Sequence, residues 1–113
     1  GHLAGDEVLR ELSRLVMGSV RKNDTFARYG GEEFALVLPE IGKEDSFDVC
    51  EKLRKKVEAH TFRHDGKEIP VTISIGYCTL LPGTSGVRPN AIIEAADSKL
   101  YDAKKAGRNQ VCC

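Results

Sequence analysis

With 113 residues, 41% of them hydrophobic, the chain is the size of one domain, large enough for one hydrophobic core and too small for two. Its 17 basic and 17 acidic residues cancel, which removes any global electrostatic pull toward nucleic acid or an anionic membrane. No apolar run is long enough to span a bilayer and no signal-peptide pattern opens the sequence, so the expected location is the cytoplasm.

From Asp6 to Val20, Val8, Leu9, Leu12, Leu15, Val16 and Val20 recur at helical spacing, which predicts an amphipathic helix with one face in the core. Asp6 stands immediately before that pattern, where an acid serves as a helix N-cap. Arg21-Lys22-Asn23-Asp24 follow as a polar link. An Arg and an Asp at this spacing can form a solvated salt bridge in a loop, worth little.

Thr25 to Tyr29 and Phe34 to Leu38 read as the two strands of a hairpin ended by Pro39. Gly30 and Gly31 make its turn, since glycine reaches the positive φ angles that tight turns use. Glu32 and Glu33 then sit at the mouth of the second strand and point to opposite faces, so only one of them serves a given site directly. Carboxylates beside a glycine turn suit Mg²⁺, which takes one or two protein carboxylates and completes its shell with substrate oxygens. A solvated acidic hairpin tip is the alternative reading of the same residues.

A helix is predicted over Asp45 to Ala59, with Phe47, Cys50, Leu53 and Val57 on its core face and Asp45 or Ser46 as cap. Asp65-Gly66 reads as a hairpin turn between 62–64 and 67–69. Val71, Ile73, Ile75 and Tyr77 alternate with Thr72, Ser74, Gly76 and Cys78, the period of a strand expected mid-sheet. Leu81 to Gly86 form a loop by composition, Asn90 to Ala106 a third amphipathic helix, Gly107 its left-handed terminator, and Val111 the start of a short last strand. Cys50 and Cys78 fall on apolar faces as small buried hydrophobes, while Cys112 and Cys113 end the chain without metal-ligand spacing. His2, His60 and His64 have no partner spacing for a dyad or for zinc and read as structural or surface groups. Lys104 and Arg108 lie where a helix dipole favours cations. Together these elements predict an α+β fold, an antiparallel or mixed sheet with helices packed on it.

Four stretches in order, Gly1-His2-Leu3-Ala4-Gly5-Asp6, Arg28-Tyr29-Gly30-Gly31-Glu32-Glu33-Phe34, Val71 to Gly76 and Leu100 to Asn109, resemble the motifs of GGDEF domains, the diguanylate cyclases that join two GTP into cyclic di-GMP. The resemblance implies the ferredoxin-like palm of nucleotide cyclases. It also implies an N-terminally truncated single domain over 1–113, because a complete domain places a strand and a helix ahead of Gly1, with a metal-binding Asp and the Asn of the guanine site. The chain by itself is therefore expected to be inactive.

By the same resemblance Glu32 is the metal-binding acid for Mg²⁺ or Mn²⁺, and Glu33 supports the metal or the 3′-hydroxyl. Gly30 and Gly31 let the backbone approach the phosphates, Asp6 reads the guanine edge, and Lys104 and Arg108 hold the triphosphate. Arg21 and Asp24 match the product-inhibition site for cyclic di-GMP, with Lys52 where a further Arg often completes it. The implied partners are GTP, cyclic di-GMP, a second copy in a catalytic homodimer and a fused sensor domain that can tether the parent to a membrane. Nucleic acid is not among them. A second hypothesis keeps the fold and drops catalysis: a module that binds cyclic di-GMP or GTP and acts by interaction.

Overall fold

The computed structural model describes residues 2–30, 32–39, 41–80, 86 and 88–112. Its elements run α1 (His2–Met17), β1 (Thr25–Gly30), β2 (Glu33–Val37), α2 (Lys43–Ala59), β3 (Phe62–His64), β4 (Lys67–Ile69), β5 (Ile75–Gly76), α3 (Pro89–Lys105) and β6 (Val111–Cys112). The class is α+β, with antiparallel pairs β1·β2 and β3·β4 and a parallel pair β5·β6. Contacts divide the chain into two compact units, Gly1–Ile41 with His60–Pro70, and Gly42–Ala59 with Val71–Cys113. Among the described residues no helix is long and apolar enough to cross a membrane.

In the first unit α1 packs on β3, and Leu12, Val16 and Phe62 are its buried residues. The helix begins at His2 and ends at Met17, not at Asp6 and Val20. Asp6 therefore lies one turn inside the helix, and its expected role as N-cap is corrected. Gly18 and Ser19 close the other end, their amides donating to the carbonyls of Arg14 at 3.0 Å and Val16 at 2.9 Å, because glycine is a poor helix interior residue. Two acid–histidine pairs tie α1 to its neighbour: Glu7 Oε2 lies 2.6 Å from His64 Nδ1 and Glu11 Oε1 3.1 Å from His60 Nε2. The Glu7 carboxylate, accepting a hydrogen bond from the imidazole, raises the pKa of His64. These contacts give His60 and His64 the structural role their sequence suggests, while the side chain of His2 lies outside the described residues. Asp65 and Gly66 take φ of 51° and 76°, the double left-handed turn a two-residue hairpin needs.

In the second unit α3 packs along β5 and β6, with Cys50, Leu53, Val57 and Ala103 buried. Gly76 decides how close they come: a Cβ there would collide with the α3 backbone at Ala96, Lys99 and Leu100. Only two residues of the expected Val71–Cys78 strand form a ladder, because β6, its partner, is itself two residues long. Amides just beside the ladder extend it, Ile75 to the Gln110 carbonyl at 3.0 Å and Tyr77 to that of Cys112 at 3.2 Å. Cys78 is exposed and donates to the Ile92 carbonyl at 3.4 Å, which corrects its expected burial; Cys50 is buried, and burial pushes its thiol up to about 11. Phe47 is also exposed, at 40%, although its spacing places it on the core face. The expected cap Ser46 instead turns its hydroxyl back to the Gly42 carbonyl at 2.8 Å, inside a helix that already started at Lys43. Gly107 ends α3 as expected: its amide reaches the Lys104 carbonyl at 3.3 Å and the Arg108 amide that of Ala103 at 3.0 Å, the paired bonds of a Schellman motif. Of the loop expected at 81–86 only Gly86 is described, with φ of 77°.

Candidate functional site

The β1–β2 hairpin builds the first candidate site. Thr25 faces Val37, Phe26 faces Leu36, Ala27 faces Ala35 and Arg28 faces Phe34; the register then shifts, and Gly30 faces Glu33. Phe26 and Phe34 stack with ring centroids 5.1 Å apart and planes at 13°, bracing the two strands from one side. The connection between Gly30 and Glu33 is two residues long, and one of them is Glu32.

Glu32 thus sits in the turn and Glu33 opens β2. The Glu32 side chain is exposed and has no hydrogen-bond or ion-pair partner among the described residues, whereas Glu33 is half-buried. Gly30 does not use positive φ, which corrects the expected reason for a glycine there. A Cβ on Gly30 would meet nothing within 4 Å, so the fold itself does not demand glycine at this position. Gly31, expected to approach the phosphates, lies outside the described residues.

Arg21 and Asp24 are brought together. The Arg21 amide donates to Asp24 Oδ2 at 2.6 Å, and the guanidinium Nη2 donates to Oδ1 at 3.0 Å. The same Nη2 donates to the Pro39 carbonyl at 2.6 Å, a contact no sequence spacing announces. Asp24 is only 2% exposed while Arg21 remains 52% exposed, so one partner is an anchor and the other a presented cation. The Arg21 guanidinium hydrogen-bonded to Asp24 holds that carboxyl below the usual carboxylate range. Arg21, Lys22, Asn23 and Pro39 line a shallow hollow around it.

Asp6 is exposed on α1 and, like Glu32, has no partner among the described residues. In the second unit Lys104 occupies the last turn of α3 and Arg108 follows the helix end with φ of 64°. Lys52 is exposed on α2. The structure therefore joins Arg21 with Asp24, sets Gly30, Glu32 and Glu33 on one hairpin, and sets Lys104 and Arg108 on one helix end. Sequence spacing missed the group around Asn109. Its amide nitrogen donates to Glu58, its amide oxygen accepts from Arg54 Nη1 at 3.0 Å, and its backbone N–H donates to Ser74 Oγ at 3.1 Å.

The uncommitted carboxylate of Glu32 fits one ligand position of a hard divalent cation, and among the described residues no group of three His, Cys, Asp or Glu side chains completes a cage. Such a donor set suits an ion that takes most of its oxygens from a bound nucleotide and water.

Comparison with known proteins gives concordant results. Diguanylate cyclase A of Treponema denticola is 42% identical over 111 residues, a match covering 98% of this chain and 29% of that protein, so the chain spans under a third of its relative's length. The GGDEF domain of DgcB from Caulobacter crescentus, solved in complex with c-di-GMP, superposes with a TM-score of 0.87 at 31% identity, covering 99% of this chain and 66% of that one. The active GGEEF domain of a diguanylate cyclase from Vibrio cholerae superposes with a TM-score of 0.83 at 33% identity, covering 99% of this chain and 69% of that one. The family model described as diguanylate cyclase, GGDEF domain, matches residues 1–110, and on that match the chain belongs to the GGDEF domain family.

Proposed function

We propose that the chain is a GGDEF domain of a cytoplasmic diguanylate cyclase, converting two GTP into cyclic di-GMP and two pyrophosphates across a homodimer. The observation that carries this reading is Glu32: an exposed carboxylate, unpartnered among the described residues, at the mouth of β2 and close to Gly30, whose surroundings are open. A fold that needed neither feature for itself leaves both for a ligand. The GGEEF spelling of the active Vibrio cholerae domain matches Gly30 to Glu33 and Phe34 and adds support.

In the reaction each 3′-hydroxyl attacks the α-phosphorus of the other nucleotide, so two phosphodiester bonds form as two pyrophosphates leave. Mg²⁺ or Mn²⁺, bound through Glu32, would neutralise charge on the triphosphate oxygens. Lys104 and Arg108 supply cations for triphosphate oxygens. Gly30 and Gly31 keep side-chain bulk away from phosphates at the hairpin. Asp6 accepts from the guanine amino and imino groups, and Glu33 orients the attacking hydroxyl.

The test uses GTP and Mg²⁺ with this chain and with a version extended upstream through the strand and helix that GGDEF domains place there. Cyclic di-GMP is expected from the extended version, and Glu32→Gln should lower its rate at least about a hundredfold without unfolding it. Guanine-nucleotide binding with no cyclic product in either version would overturn the catalytic reading.

A second function rests on its own observation, the anchored Arg21–Asp24 pair at the edge of a hollow. We read it as the site where cyclic di-GMP inhibits. It is supported by the DgcB domain that binds c-di-GMP. If turnover fails while Arg21→Ala abolishes cyclic di-GMP binding, the chain is a receptor module.

A further inference from the structure

Three consecutive residues after α3 take positive φ: Gly107 at 121°, Arg108 at 64° and Asn109 at 49°. Only the first is a glycine. The left-handed region is unfavourable for a residue with a side chain, and two such residues in succession persist only where the surroundings hold them. The two Schellman bonds at Gly107 and Arg108 already end the helix. They explain Gly107 and leave the next two residues to another cause.

That cause is the Asn109 side chain, both ends of which are used. Its nitrogen donates to Glu58 and its oxygen accepts from Arg54, at 3.0 Å, while its backbone N–H donates to the Ser74 hydroxyl at 3.1 Å. Arg54 is itself fixed, 13% exposed, hydrogen-bonded to Glu51 and 3.7 Å from Glu58. Asn109 is thus locked into a charged clamp on α2. Between this clamp and the Schellman turn stands Arg108, its backbone held on both sides and its carbonyl taken by the Gln110 amide at 3.2 Å. Its guanidinium, by contrast, is exposed and has no partner among the described residues. A rigid backbone under an uncommitted cation is the arrangement that spends least ordering entropy when an anion binds.

We propose that Asn109, clamped by Arg54, Glu58 and Ser74, is a positioning residue that presents Arg108 to the nucleotide triphosphate. The inference rests on the triphosphate role given to Arg108 above and assigns Asn109 no contact with substrate. If the clamp only joined α2 to the end of α3, its loss would lower stability and leave anion binding uncoupled from it.

The experiment measures binding of GTP and of inorganic tripolyphosphate to the chain by calorimetry, beside thermal melting. Asn109→Ala is expected to weaken both ligands about tenfold, the scale of one charge-assisted contact. In an Arg108→Ala background it should have no further effect. Asn109→Asp keeps left-handed tolerance but sets a carboxylate against Glu58, so it should weaken binding similarly, and adding Glu58→Gln should bring affinity back within about twofold of the parent. This rescue carries the test if Asn109→Ala does not fold. Unchanged affinity in Asn109→Ala, an equal loss with and without Arg108, or no rescue by the double change overturns the proposal while the triphosphate role of Arg108 stands. If Arg108→Ala binds as tightly as the parent, or the parent binds neither ligand, that role falls and the proposal with it.

Discussion

Among the described residues the exposed Glu32 carboxylate has no hydrogen-bond or ion-pair partner, so removing its charge tests function with little effect on stability. Glu32→Gln should change unfolding free energy by no more than about 0.5 kcal/mol, as exposed substitutions do, and a melting curve alongside the turnover assay checks it. Gly76 is the opposite case. Its missing side chain is required by backbone atoms of α3 rather than by a ligand. Gly76→Ala should destabilise by about 3 kcal/mol or more, at or beyond the upper end of overpacking, because the obstacle is backbone and cannot swing away; denaturant unfolding reads the loss. Arg21→Ala removes the guanidinium donors to Asp24 and leaves the backbone amide bond in place. The lowered carboxyl pKa contributes stability above its ordinary value of about 3.9 and loses it as pH falls through the folded value, so the variant should lose the guanidinium's share of the acid-side slope. It should also leave turnover intact and relieve inhibition by cyclic di-GMP, and a variant still inhibited would contradict the assignment of Arg21.

Between elements, the clearest pH-dependent contact is α1 on β3. His64 faces Glu7 at 2.6 Å and Asp65 at 3.3 Å, and its pKa is raised by the first of these. A raised histidine contributes its stability below its ordinary value of about 6.5 and loses it as pH rises through the folded value. Melting of the chain should therefore fall as pH rises above about 6.5 through the raised folded value, and His64→Gln should flatten that dependence. A parent protein whose stability does not change as pH rises past about 6.5 would show that the pair contributes nothing. Helices and hairpins were legible in the sequence because each was announced locally: α1 and α3 by apolar spacing, the β3–β4 turn by Asp65-Gly66, the end of α3 by Gly107. The length of β5 was not, since alternation reports which way side chains point and not how far a partner strand extends. Cys78 and Phe47 were misplaced for the same reason, as periodicity identifies a face without saying whether anything covers it. Of the candidate site, the hairpin acids and the Arg21–Asp24 spacing could be read directly. The Asn109 clamp could not, because its partners Arg54, Glu58 and Ser74 lie 35 to 55 positions away.

For the whole molecule, membership of the GGDEF family covers residues 1–110, while the chain spans 29% of its Treponema relative. If each domain presents one GTP, the reaction needs two copies, and specific activity should rise with protein concentration until dimers saturate. A specific activity independent of concentration over a hundredfold dilution would point to one copy acting alone or to a dimer already complete, which sedimentation at the same concentrations separates. Joint quantification of pyrophosphate and cyclic di-GMP released from GTP and Mg²⁺ by the upstream-extended chain decides whether two GTP become one cyclic dinucleotide. Two pyrophosphates are expected for every cyclic di-GMP, with both products vanishing together in Glu32→Gln; pyrophosphate without cyclic di-GMP, or equal yields of both from Glu32→Gln and its parent, would overturn the cyclase reading.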